Sequence, residues 1–244
     1  MLKRLVTCAA SVSVFVVGCE SDKSITEPKP STALVRFINA TQKDTIDVAT
    51  GGNVATANAG LAFGTSTGCL TVAATSPQIS FRTKGTTTDL SGFTPAFTAG
   101  HEYWVVAMTG ATGTPSFVTI DQAFTPTAPA TDNGIAALNA IAGSTNYDLH
   151  VTTPGTTLSS STVTRGGLAF GVPSAFVNNT IPFNTATPPV AQPQQLQFTT
   201  AGTTTVARNH GNVTMAPGTS TLAIIAPGTA AAPTTLRSIF NAGC

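Results

Sequence analysis

The chain has 244 residues, of which only 9% are charged and 7% are aromatic, and its formal net charge is +1. Charged residues usually make up about 25% of a globular protein. No basic stripe and no acidic block occurs along the sequence. The composition therefore excludes the basic surface that nucleic acid binding needs, and we predict no nucleic acid partner.

The amino terminus has the features of an export signal. Lys3 and Arg4 precede an uncharged apolar stretch over 5–17, which is shorter than the roughly 20 residues of a transmembrane helix. The sequence VVGC at 16–19 resembles the lipobox of bacterial lipoproteins, whose cysteine receives a diacylglycerol. The resemblance implies a signal peptide over 1–18 and a lipid on Cys19. The alternative is an ordinary signal peptide followed by an unrelated cysteine.

The polar segment over 19–32 predicts a flexible tether, because it contains two prolines and few groups to bury. Glu20 follows Cys19, which by resemblance to the lipoprotein sorting rule implies the outer membrane where the organism has one. Loss of Lys3 and Arg4 with the signal changes the formal charge to −1. We expect a lipid-anchored envelope protein on the periplasmic or the surface-exposed face.

The rest of the chain contains one sequence pattern twice. Five pairs of segments carry it. They are FINA at 37–40 with ALNA at 137–140, IDV at 46–48 with YDL at 147–149, GLAFG at 60–64 with GLAFG at 167–171, GTTT at 85–88 with GTTT at 202–205, and Gly100 and the apolar run 104–108 with Gly218 and the apolar run 222–226. The spacing between matching segments only increases along the chain, as it does when loops lengthen between strands of fixed order. We predict a first repeat over 33–124, a linker over 125–133 and a second repeat over 134–244. The largest insertion is expected at 181–195, a Pro- and Gln-rich loop.

Short apolar or alternating runs between Gly, Pro, Asn and Thr clusters predict β-strands, and no window has the spacing of an amphipathic helix. The first repeat has seven such runs: 34–39, 45–48, 61–63, 70–73, 79–82, 103–108 and 117–120. This strand density is typical of a β-sandwich. The predicted fold class is all-β, with two tandem immunoglobulin-like or related β-sandwich domains after the signal peptide and tether. The first is expected to keep its fold without the second.

The first repeat also carries a set of motifs that resembles a known family. The motifs are Val35–Ala40, Ile46–Val48, Leu61–Gly64, Thr98–Gly100 and Tyr103–Ala107. They resemble the bacterial domain of unknown function 4397 family, whose members are secreted or lipid-anchored and often repeated. The resemblance extends over nearly all of 32–244 and implies two copies. The second copy departs from the motifs where Ala136 replaces Arg36 and where Thr221 and Leu222 replace Tyr103 and Trp104. Because the motifs are structural, the resemblance implies no catalytic residue.

Candidate catalytic groups are few. Ser66 lies in GTSTG, the spelling of a nucleophile elbow, but the residues after it predict a strand where an elbow needs a helix. His101, His150 and His210 are far apart and lack metal-site spacing. Asp47 and Asp148 occupy matching positions, which favours a turn or backbone partner for both. We predict no catalytic residue, no metal site and no cofactor.

Three further side chains have structural interpretations. Trp104 is expected to pack in a core, and strand alternation predicts that Tyr103 and Trp104 point in opposite directions, one inward and one outward. Arg36 alternates with apolar neighbours, so it is expected to face solvent or to pair locally. Too few aromatic residues are present for a typical carbohydrate platform.

The remaining thiols are Cys69 and Cys244, since Cys8 lies in the signal and Cys19 is assigned to lipid. In an oxidising envelope they either pair in a disulfide or stay free. If they pair, the bond joins the two repeats.

The sequence favours a non-catalytic surface module that binds an unidentified protein or glycan, or acts as a spacer. Two alternatives stay open: a structural or assembly component of an envelope complex, and an envelope hydrolase. The membrane, contacted through the lipid on Cys19, is the one predicted partner of known class.

Overall fold

A computed structural model describes residues 31–228 and 237–244, apart from residues 44, 56–57, 76, 111, 124–131, 160–161 and 181–190. The predicted signal peptide, Cys19 and nearly all of the tether lie outside the described residues. So do most of the predicted linker and of the insertion over 181–195. Asp132 and Asn133, which were assigned to the linker, begin a strand.

The described residues form seventeen strands and no α-helix, which confirms the all-β prediction. The strands of the first half are β1 (Thr32–Ala40), β2 (Thr45–Thr50), β3 (Asn53–Val54), β4 (Leu61–Ala62), β5 (Leu70–Ala73), β6 (Ile79–Thr83), β7 (Asp89–Phe93), β8 (Glu102–Thr109) and β9 (Pro115–Asp121). Those of the second half are β10 (Asp132–Asn139), β11 (Tyr147–Thr152), β12 (Val163–Leu168), β13 (Val177–Thr180), β14 (Gln194–Thr200), β15 (Val206–Val213), β16 (Ser220–Ala226) and β17 (Arg237–Ala242).

Each half contains two sheets, and the strand orders of the two halves correspond. The first inner sheet has the order β5-β1-β8-β9 and the second inner sheet β13-β10-β16-β17. The first outer sheet has the order β3-β2-β6-β7, with β4 also on β2, and the second outer sheet β12-β11-β14-β15. In both inner sheets the central pair is parallel, β1 with β8 and β10 with β16.

The four sheets stack as four layers, and an apolar cluster fills each of the three spaces between them. One cluster fills the space between the first outer and first inner sheets, around Phe37, Phe81 and Val105. Another fills the second half in the same way, around Leu149 and Phe198. The remaining cluster lies between the two inner sheets and includes residues of both halves: Ile38, Trp104, Val106, Met108, Leu138, Leu222, Ile224 and Ile239. We call this third cluster the inter-half core.

The inter-half core bears on the expectation that the first repeat keeps its fold without the second. Tyr103 and Trp104 do point to opposite faces of β8, but neither faces solvent: Tyr103 packs in the first half and Trp104 in the inter-half core. Residues 103 to 108 are all buried, a pattern typical of strands covered on both faces. Removal of the second half would expose one whole apolar face of the first inner sheet.

All seven strands predicted for the first half are present, with ends that differ by a few residues. Two strands, β3 and β7, were not predicted from the sequence. β3 has only two residues, and β7 carries Asp89 and Gly92 at an exposed sheet edge, where apolar alternation is weak.

One buried aspartate per half fixes the outer sheet to its loops. Asp47 accepts backbone hydrogen bonds from Gly60 (2.6 Å) and Gly85 (2.7 Å). Asp148 accepts the matching pair from Gly167 and Gly202, each at 2.7 Å. The two carboxylates are therefore backbone partners, as their duplicated position predicted.

Candidate functional site

A cleft of about 560 Å³ lies where the two halves meet. Four short segments line it: 100–102, 121–123, 218–220 and 242–244. The first and third precede or begin the parallel central strands β8 and β16, while the second and fourth end or follow the antiparallel strands β9 and β17. Corresponding segments of the two halves thus form the two sides of one cleft.

The two sides differ in chemistry. The first half contributes His101, Glu102, Asp121 and Gln122, while the matching positions of the second half are Thr219, Ser220, Ala242 and Gly243. The first half therefore supplies the ionisable groups, and the second half supplies small and hydroxyl side chains that leave space beside them.

His101 and Asp121 contact each other in the lining of the cleft. His101 Nδ1 lies 2.8 Å from Asp121 Oδ2, and both side chains are partly exposed. No hydroxyl or thiol hydrogen-bonds His101 in the described part of the chain. The pair lacks the nucleophile that a hydrolytic triad requires. The arrangement can bind hydrogen-bonding or cationic groups through Glu102 and Asp121.

Gln122 closes the inner wall of the cleft across the two halves. Its Oε1 accepts a hydrogen bond from the backbone N–H of Cys244 at 3.0 Å. Its Nε2 is buried and, among the described residues, has no hydrogen-bond partner. A Cβ at position 243 would lie 2.5 Å from both Gln122 Oε1 and Ser220 Oγ, so a side chain there would displace these groups. Gln122 Nε2 lies within the wall and does not reach the open space of the cleft.

A disulfide between Cys69 and Cys244 joins the halves beside this cleft. Their Cα atoms are 5.7 Å apart, both residues are exposed, and 175 positions separate them in sequence. The two cysteines therefore pair in the structure, across the halves and not within one.

Arg36 lies next to the disulfide, contrary to the expectation that it faces solvent or pairs locally. It is on the side of β1 that faces the second half, where Nη1 donates to Ala242 O (2.8 Å) and Nη2 to Cys69 Sγ (3.2 Å). Trp104 Nε1 donates to the same carbonyl at 3.4 Å. Burial lowers the pKa of Arg36, and the charge of Glu102 partly opposes this effect. Arg36 thus connects the halves through the end of β17.

Ser66 occupies a position without elbow geometry. It forms an isolated bridge with Ile38 of β1, and the chain continues through Thr67 and Cys69 into the strand β5. Thr67 Oγ1 accepts the N–H of Phe37, as Ser174 Oγ accepts that of Ala137 in the second half. The hydroxyls near GTSTG therefore connect this segment to the sheet.

The other two histidines lie away from the cleft lining. His150 is fully buried in β11 between Thr162 Oγ1 (2.9 Å) and Thr199 Oγ1 (3.1 Å). His210 in β15 contacts Ser238 Oγ at 2.9 Å. Burial lowers the pKa of both imidazoles. The three histidines are not brought together.

Within the described ranges, no cluster of three or more His, Cys, Asp or Glu side chains is arranged to hold a metal ion. No helix in this part of the chain has the length and apolar character needed to span a bilayer.

Gln122 and Gly243 were not predicted from the sequence, and Glu102 and Arg36 were not expected to belong to a site. Gly243 and Cys244 directly follow the strand β17 and belong to no motif, and Gln122 follows the edge strand β9. The sequence repeat matches residues 100–102 with 218–220, two of the segments that line the cleft. This match does not show which sheets of the two halves face each other.

Comparison with known proteins identifies one family. Residues 33–150 match the family described as Domain of unknown function (DUF4397). This match supports the family resemblance for the first half, and it ends within β11. The match contains one copy where the sequence analysis expected two, and most of the second half lies outside it. No curated protein matches the chain.

Proposed function

We propose that this protein is a lipid-anchored protein of the bacterial cell envelope that acts by binding and not by catalysis, and that the cleft between its halves is the binding site. The observation that carries the proposal is the unequal lining of the cleft. One side offers carboxylates and an imidazole, whereas the other offers small and hydroxyl side chains.

The disulfide supports the compartment. Disulfides form and persist in oxidising compartments outside the cytoplasm. The Cys69–Cys244 bond is exposed to solvent, where cytoplasmic reductants would reach it. Export through the signal at 1–18, with a lipid on Cys19, is consistent with this chemistry.

We further infer that the second half is a second copy of the same domain. The strand orders correspond, and Asp47 and Asp148 make matching pairs of backbone hydrogen bonds. In this interpretation, duplication created the cleft, and the two copies then diverged at its lining. The departures at Ala136, Thr221 and Leu222 lie in the inner sheet of the second copy.

Photocrosslinking in living cells tests the binding role. A photoreactive amino acid at Thr219, on the cleft, is expected to give a discrete protein or glycan adduct in the envelope. The matched control is Thr203, an exposed threonine of the second outer sheet's loops. Adducts at Thr219 that also form at Thr203, or none at either position, would contradict cleft binding.

The structural or assembly alternative predicts a different pattern. A scaffold would be held through broad surfaces, so adducts to the same partner would form at exposed positions of several sheets. The hydrolase alternative has little support, because Ser66 lacks elbow geometry and His101 lacks a hydroxyl partner.

A further inference from the structure

The disulfide between the halves is asymmetric in its surroundings. Arg36 Nη2 donates to Cys69 Sγ at 3.2 Å. In the described part of the chain, no corresponding cation contacts Cys244, which instead lines the cleft together with Glu102 and Asp121. A guanidinium stabilises negative charge on a sulfur to which it donates a hydrogen bond. The two sulfurs therefore differ as leaving groups.

We propose that Cys244 is a site of thiol–disulfide exchange, at which a small thiol bearing an amine opens the bond between the halves and forms a mixed disulfide. Both cysteines are exposed, so an external thiol reaches the bond without unfolding. The carboxylates of the cleft attract a cationic amine to the Cys244 side.

The exchange proceeds in one balanced step. The incoming thiol loses its proton to solvent, and its thiolate attacks Cys244 Sγ. A new S–S bond forms to Cys244 while the bond to Cys69 breaks, and its electron pair stays on Cys69 as a thiolate next to Arg36. The better leaving group departs faster, so this direction is preferred over attack at Cys69. No external oxidant is needed, because one disulfide replaces another.

The modification changes the cleft. Cys244 donates its backbone N–H to Gln122, and its neighbour Gly243 has no room for even one extra carbon. A mixed disulfide on Cys244 adds bulk at this wall. The inter-half core still holds the halves together, so exchange alters the cleft and not the fold.

Peptide mapping tests the direction of the exchange. The full chain, purified from the envelope with its disulfide intact, is treated with limiting cysteamine, quenched with acid and alkylated. We expect cysteamine on Cys244 and the alkyl group on Cys69, in about two- to fivefold excess over the reverse product, the range that a half-exposed charge interaction supplies. Arg36→Gln is expected to bring the ratio close to one.

The matched control is Arg165→Gln, which removes another partly buried arginine, in β12, and is expected to keep the wild-type ratio. If Arg36→Gln fails to fold, Arg36→Lys and wild-type protein at high salt replace it; the lysine should retain a preference and salt should reduce it. Equal products in the wild type, a preference for Cys69, no adduct at all, or a ratio unchanged by loss of the Arg36 charge would each overturn the proposal.

Discussion

Single polar side chains hold the loops of each half in place, and the buried aspartates are the clearest case. Asp47 and Asp148 each accept two short backbone hydrogen bonds from glycines of two different loops. Hydrogen bonds to a charged group contribute about 1.5–3 kcal/mol each, more than neutral ones. The duplication of IDV and YDL in the sequence was enough to predict this role.

We predict that Asp47→Ala and Asp148→Ala each lower the free energy of unfolding by about 2–4 kcal/mol, because each leaves two loop amides without their acceptor. The control is Asp121→Ala, whose carboxylate is more than a third exposed, and for which a loss below about 1 kcal/mol is expected. Urea denaturation measures all three. A loss below about 1 kcal/mol for either buried aspartate would rule out this anchoring role.

His150 gives the fold a dependence on pH. Burial lowers the pKa of its imidazole in the folded protein below the ordinary value near 6.5, so the unfolded chain binds the proton more tightly. Stability from this residue is complete above pH 6.5 and decreases as the pH falls below it, by up to about 1.4 kcal/mol per pH unit.

We predict that His150→Gln flattens the decline in unfolding free energy between about pH 6.5 and 5. His210→Gln is the comparison, because burial also lowers the pKa of that partly exposed imidazole, and its effect should be smaller. Thermal unfolding across this pH range measures both. A slope that is identical in wild type and His150→Gln would contradict the prediction.

At the scale of strands, the sequence predicted which segments form strands better than it predicted what covers the faces of each strand. The seven runs of the first half locate their strands because apolar and turn residues alternate clearly. Residues 103–108 and 222–226 were expected to form ordinary sandwich strands, although an unbroken apolar run indicates burial on both faces. What covers the second face is a long-range property, and no local pattern identifies it.

Ile38 of β1 tests whether the second face of the first inner sheet is buried, and Ile46 of β2 is the reference. Ile46 lies in the core of the first half and Ile38 in the inter-half core, and both are fully buried. We predict that Ile38→Ala and Ile46→Ala each cost about 2–5 kcal/mol, the usual range for a buried isoleucine. A cost for Ile38→Ala within about 0.5 kcal/mol of zero would mean that this face meets solvent.

At the scale of the whole molecule, the described sheets stack in four layers, and the two halves share a core. The inter-half core, the Cys69–Cys244 bond and the contacts of Arg36 with Cys69 and Ala242 all join the halves. The sequence contained the repeat and the two cysteines, but it could not show that the repeats pack face to face. The cleft depends on that packing, which is why its residues were mostly missed.

The lipid anchor on Cys19 and the Cys69–Cys244 disulfide are tested most directly by an intact mass. The protein is isolated from the envelope and measured after alkylation, with and without prior reduction. We predict a chain that begins at Cys19 and carries lipid, with no alkyl group before reduction and two afterwards, on Cys69 and Cys244. A chain that retains residues 1–18 or lacks lipid, or that accepts two alkyl groups before reduction, would contradict it.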